Sequence, residues 1–96
     1  MNDNDLEARV ARALRLSPTA SELLSVDIQD NIATARAELI RSGVAESVVQ
    51  AEGDLVQQAI VTYCLMNMND EDKYDQYFAA FQYQQDNLRK SISDEE

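Results

Sequence analysis

The chain has no histidine at all. That absence removes the usual general base, the commonest zinc ligand and the one side chain that titrates near neutral pH. A single cysteine, Cys64, excludes an internal disulfide, and no CxxC or Cys/His cluster offers metal-ligand spacing. Glycine occurs twice and proline once, too few for the turns of an all-β fold. Cations are scarce as well: 8 Lys and Arg stand against 18 Asp and Glu, a formal net charge of −10. Affinity for nucleic acid begins with neutralising phosphates, so DNA should be repelled unless those few cations share one face. Solubility is the plain consequence of such acidity. No apolar run approaches the ~20 residues of a membrane span. The polar opening Asn2-Asp3-Asn4-Asp5 lacks the apolar stretch of a secretory signal, so a cytoplasmic protein is expected.

What is present points to helices. Ala, Glu, Gln, Leu and Arg are abundant, and an apolar fraction of 45% over 96 residues is enough for one modest core. The expectation is an all-α bundle of four helices over residues 1–91, with a short flexible acidic tail over 92–96.

The first helix is expected from about Leu6 to Leu16, capped by Asp3 or Asp5, with Leu6, Val10, Ala13 and Leu14 on one face. Arg9, Arg12 and Arg15 recur every third residue on its far side. Ser17-Pro18-Thr19 interrupts it, because proline disfavours helical geometry in the residue before it. A second helix then runs from Thr19 or Ser21 to just before Gly43, with Leu24, Ile28, Ile32, Ala35 and Leu39 as its stripe. Gly43 suits the left-handed closing position. Val44 to Gly53 has no sustained period and reads as a loop with about one helical turn.

Asp54 is expected to cap a third helix that reaches about Asn67. Leu55, Val56, Ala59, Ile60 and Tyr63 make one apolar face; Val61, Leu65 and Met68 make another, nearly opposite. A helix apolar on two sides is usually buried on two sides, so it is either the centre of the bundle or a subunit contact. Asn69 or Asp70 caps the fourth helix, Glu71 to Ser91, whose stripe is Tyr74, Tyr77, Phe78, Phe81 and Leu88 while Tyr83 points elsewhere.

None of the chemical constellations survives its plainer reading. Cys64 has no histidine to activate it and lies in an apolar helical run, where an inert buried thiol is normal. Asp70-Glu71-Asp72 with Asp75 lacks both the glycine and the terminal glutamate of a calcium loop, and acids collect naturally at a helix N-terminus. Aromatics at helical spacing without interleaved cations are core, not a stacking platform for bases. The chain is therefore expected to be neither an enzyme nor a cofactor protein. The Arg9, Arg12, Arg15 row reads as a solvated face, then as an electrostatic contact with an acidic neighbour such as another copy of the same chain, and third as a phosphate contact, for which three arginines on a chain of net charge −10 are a weak footprint.

The segment Asp54 to Asn67, with Gln58, Ala59, Ile60, Tyr63 and Asn67, precedes Asp72, Tyr74 and Phe78. In that order the two stretches resemble the "QAI-x-x-Y-x-x-x-N" and "D-x-Y-x-x-x-Y/F" helices of the head-tail connector (adaptor) proteins of tailed bacteriophages. Upstream, Ala35, Arg36, Leu39, Ile40, Ser42, Gly43 and Val44 are similar to that family's "A-R-x-x-L-I-x-S-G-V" helix end. The resemblance covers most of the chain and departs where the family often has a glycine after the third helix, here Met68-Asn69-Asp70. It implies a structural ring subunit, typically twelve copies in the virion, docked beneath the portal protein. The ring would join that protein to a downstream tail or stopper component, with DNA passing through the channel without specific binding. The family's C-terminal part is implicated in portal binding, here the end of the fourth helix and Ser91 to Glu96.

The residues expected at a subunit or partner interface are Arg9, Arg12, Arg15, Val61, Leu65, Met68, Tyr83, Arg89, Lys90 and Ile92. The rival reading from another class is a small acidic protein that imitates DNA and sequesters a DNA-binding partner. A third is a helical packaging factor that binds DNA itself.

Overall fold

A computed structural model describes residues 3–69 and 71–95, without the side chains of 3, 4, 71 and 91–95. The described chain is all-α, with no strand. Its helices are α1 (Asp3–Ala13), α2 (Pro18–Leu23), α3 (Ser25–Arg41), α4 (Glu46–Ala51), α5 (Asp54–Met68) and α6 (Tyr74–Glu95). A single 3-10 turn, Glu71–Lys73, leads into α6. Helix α5 packs against α1, α3 and α6 and is the centre of the bundle.

Three of the four expected helices keep roughly their place, and their ends explain the differences. Helix α1 stops at Ala13, short of Leu16, in a left-handed closing turn. Arg15 has φ +60°, its N–H bonds the Arg12 carbonyl at 3.0 Å, and the Leu16 N–H reaches back to Ala11 at 3.0 Å. The same closure ends α3: Gly43 has φ +113°, the Gly43 N–H bonds Ile40 and the Val44 N–H bonds Leu39, each at 3.0 Å. In both turns the residue after the left-handed one, Leu16 or Val44, folds back onto the core, the apolar contact that accompanies such caps.

The expected second helix is divided at Leu24, whose φ −97° and ψ 8° are not helical. The hydrogen-bond ladder passes through the division, since the Leu24 N–H bonds Ala20 and the Ile28 N–H bonds Leu24. The division is thus a bend. Its start is also earlier than expected. Ser17 is extended and its Oγ accepts from the Ala20 N–H at 3.1 Å, leaving Pro18 at the first helical position, where a missing N–H costs nothing. Glu46–Ala51 forms a short helix in the stretch expected as a loop with about one helical turn, and Glu52 ends it with φ 51°. Asp54 does not cap α5: Gly53 is the cap and Asp54 occupies the first turn, where an acid favours the dipole. Asn69 closes α5 with extended geometry; Asp70, the other expected cap, lies outside the described residues. The helical backbone of α6 continues to Glu95, past the expected end at Ser91.

The core holds Leu6, Val10, Ile28, Ile32, Ala35, Leu39, Val56, Ala59, Ile60, Phe81 and Leu88, as the periodicity predicts. Four expected core positions are corrected. Ala13 is exposed and Ala11 takes its place, because α1 ends there. Leu55 is exposed because it falls at the edge of the buried arc of α5, whose centre passes through Val56 and Ile60 at about 100° per residue. Tyr74 and Phe78 are more than a third exposed, in the first turns of α6, where their rings stack on each other at 6.0 Å.

Candidate interaction surfaces

The arginines expected on one face of the first helix do not stay together. Arg9 turns inward: its Nη1 donates to the Gln57 Oε1 at 2.9 Å. Gln57 is buried, and its Nε2 donates in turn to the Glu52 carbonyl at 2.8 Å. The Glu52 carboxylate forms an ion pair with Arg36 of α3. One network therefore ties α1, α3, α5 and the left-handed turn after α4. Buried polar groups stabilise a fold only when their hydrogen bonds are made, and Gln57 makes both of its own inside the protein. Arg12 is exposed on α1, and Arg15 is exposed beyond its end in the closing turn.

Arg89, also expected at an interface, is half-buried. Its Nη1 donates to the Ser42 carbonyl at 2.8 Å and its Nη2 pairs with Asp86, so it satisfies the C-terminal end of α3. A cation at that end complements the helix dipole. Lys90, next to it, is exposed. The side chain of Ile92 lies outside the described residues.

Of the second stripe on α5, Val61 and Met68 are half-buried and pack against the protein's own core. Leu65 is half-buried and, unlike Val61 and Met68, is not among the side chains packed against that core. Tyr83 points away from the α6 stripe and is 69% exposed.

Cys64 is fully enclosed, and burial pushes its thiol up to about 12. A thiol held that high remains protonated and poorly nucleophilic. Among the described residues no three His, Cys, Asp or Glu side chains converge as a metal site would need, and no helix is long and apolar enough to cross a membrane.

Among the described residues, the exposed large apolar side chains other than Ile40 group in three places. At the α2–α3 bend, Leu23 and Val26 are 80% and 68% exposed, three residues apart and off the buried stripe. Beside the start of α6, an open groove of about 310 Å³ is lined by Tyr63, Met66, Tyr74, Phe78 and Phe81, with Glu38 and Arg41 across from them. The Arg41 guanidinium bonds the Glu38 carboxylate and holds it below the usual carboxylate range. On another flank, Leu55 and Tyr83 border a smaller recess of about 190 Å³ that includes Gln84. The Gln84 Oε1 is sealed from solvent and has no hydrogen-bond partner.

Tyr83 is exposed off the α6 stripe as the spacing predicts, whereas Gln57, Leu23 and Val26 were not singled out in the sequence. Gln57 sits beside Gln58 with nothing to mark which is buried. Leu23 and Val26 carried a usable signal, being large apolar residues off the Leu24, Ile28, Ile32 stripe. No family model, curated protein or solved structure matches the chain.

Proposed function

We propose that the chain is a structural subunit of a phage head-tail connector, assembling as a ring beneath the portal and joining the capsid to the tail. The observation that carries the reading is the grouping of exposed large apolar side chains, among the described residues, in three separate places outside the buried core. Scattered single apolar residues are ordinary on a monomer, whereas paired and grooved ones mark contacts with other proteins. A ring subunit has two neighbours in the ring and further partners above and below it. The resemblance in the Asp54–Asn67 and Asp72–Phe78 stretches supports the same reading.

The charge fits the role. A net charge of −10 repels the phosphates of DNA passing through the channel, so transit is not slowed by binding. A DNA mimic would present acids where this chain presents Leu23, Val26, Tyr74, Phe78, Leu55 and Tyr83. The apolar surfaces therefore favour the connector over the mimic.

Capture by the portal protein encoded in the same genome tests the proposal. The purified chain should bind assembled portal and add a ring of density to it in negative-stain images. A chain that ignores the portal while binding and inhibiting a DNA-binding protein would transfer the assignment to the mimic.

A further inference from the structure

Helix α1 is joined to the rest of the molecule by a stretch with no hold on the core. Over residues 17–23 no side chain is buried, and the apolar Pro18, Ala20 and Leu23 are not among those packed against the core. The half-buried Leu14 and Leu16 lie on one side of the stretch and Leu24 on the other. Both flanks depart from helical geometry. Arg15 sits at φ +60°, a left-handed conformation that strains any residue with a Cβ. Leu24 departs mainly in ψ, 8° against about −42° in a regular helix. The hydrogen-bond ladder already runs through that bend, from Leu24 to Ala20 and from Ile28 to Leu24. Straightening this one residue makes residues 18–41 a single helix about 36 Å long and carries α1 off its own seat.

The seat itself is firmly built. Leu6 and Val10 are wholly enclosed where α1 packs against α3 and α5. Two polar links fix the register. The Arg9 Nη1 donates to Gln57 of α5 at 2.9 Å, while Glu7 accepts from the Ser25 Oγ and, at 3.3 Å, from the Gln29 Nε2 of α3. Gln57 is buried, so its amide oxygen needs the donor that α1 brings. The α1 of any copy brings the same residues.

We infer that α1 is an exchangeable arm: in assemblies of this chain it leaves its own seat and packs on α3 and α5 of a neighbouring copy. An exchanged arm remakes every contact of the closed subunit, so exchange costs little. What changes is the connection, where Arg15 gives up its left-handed geometry and Leu24 becomes helical. Strained connections of this kind favour exchange. The occupant of the surface is fixed by the structure, which has α1 seated on it. Exchange closes a pair as readily as a ring, so the inference stands apart from the connector reading.

Cross-linking shows which chain supplies α1. Glu7→Cys and Gln29→Cys place two thiols across the α1–α3 contact, within reach of a short bis-maleimide, while Cys64 stays enclosed. Circular dichroism verifies the fold, and Ser25→Cys replaces Gln29→Cys if the pair fails that check. The protein is refolded from urea at high concentration, and its multimers are separated from monomer by gel filtration. Each fraction is then cross-linked and run under denaturing conditions. The monomer should give single chains and the multimers covalently joined chains, with no joined chains from either single-cysteine variant. Arg15→Gly on the same background should lower the multimeric share about fivefold, because glycine takes the closed turn without strain. Multimers that release only single chains overturn the exchange and leave the connector reading untouched. A multimeric share unchanged by Arg15→Gly overturns the hinge, and a chain that refolds to monomer at every concentration overturns the inference outright.

Discussion

Gln57 donates from its buried amide to the main-chain carbonyl of Glu52, the residue that turns the chain from α4 into α5, at 2.8 Å. The same amide oxygen accepts from Arg9 at 2.9 Å, so one side chain fixes the corner and docks the first helix. Gln57→Leu is isosteric enough to fill the space but leaves the Glu52 carbonyl and the Arg9 guanidinium without this partner. The expected loss is about 1–3 kcal/mol, the usual cost of unsatisfying a buried polar group. Urea unfolding of the two proteins measures it, and an unchanged midpoint would show that the network contributes nothing net.

The left-handed turn after α1 is closed by an arginine where glycine would be at ease. Arg15→Gly should relieve a strain of about 1–2 kcal/mol, offset in part by about 0.4–1 kcal/mol of added freedom in the unfolded chain. A small net stabilisation is expected, visible as a raised thermal midpoint. The equivalent turn after α3 behaves oppositely. Gly43→Ala places a Cβ at φ +113° and 3.2 Å from Arg89 Cδ, so the midpoint should fall and the Arg89–Ser42 contact should loosen.

These two turns also separate what the sequence discloses from what it conceals. Gly43 after a long amphipathic run announces its turn because only glycine adopts that geometry cheaply. Arg15 announces nothing, since an arginine on a three-residue spacing looks like one more solvated helical position. The stripes of α1 and α3 are readable because each helix buries one face. Helix α5 is less so: packed on three sides, it has no single apolar arc, and its buried Gln57 is indistinguishable from its exposed neighbour Gln58. The interaction surfaces were the least legible. Phe78 falls on the apolar stripe of its helix and reads as core, and only the packed structure shows it more than a third exposed.

Cys64 gives a pH signature. Its thiol is raised from 9.0 to about 12 by burial, so the folded state holds its proton where the unfolded state has released it. The corresponding stability is fully present below pH 9.0 and is lost as pH rises toward about 12. Wild type should therefore lose stability faster than Cys64→Ala over that window, with the difference between the two isolating the thiol from titrating Tyr and Lys. In the native state at neutral pH, Ellman's reagent should react only on the timescale of unfolding. Rapid labelling would contradict the burial.

Two residues of the second α5 stripe should respond differently to the same substitution. Met68→Asp puts a charge against the core and should unfold the subunit, since an unpaired charge there costs several kcal/mol or more. Leu65 is outside that packing, so Leu65→Asp should leave helical content and thermal midpoint closer to wild type. Circular dichroism on the pair decides it, and loss of structure in Leu65→Asp would show that Leu65 belongs to the subunit's own packing.

Native mass spectrometry of the purified chain, alone and after addition of the assembled portal, tests the assembly most directly. The expected result is one closed multimer of fixed copy number, formed alone or on the portal, with no open-ended series. A chain that remains a 10.8 kDa monomer alone and with the portal would contradict the connector assignment.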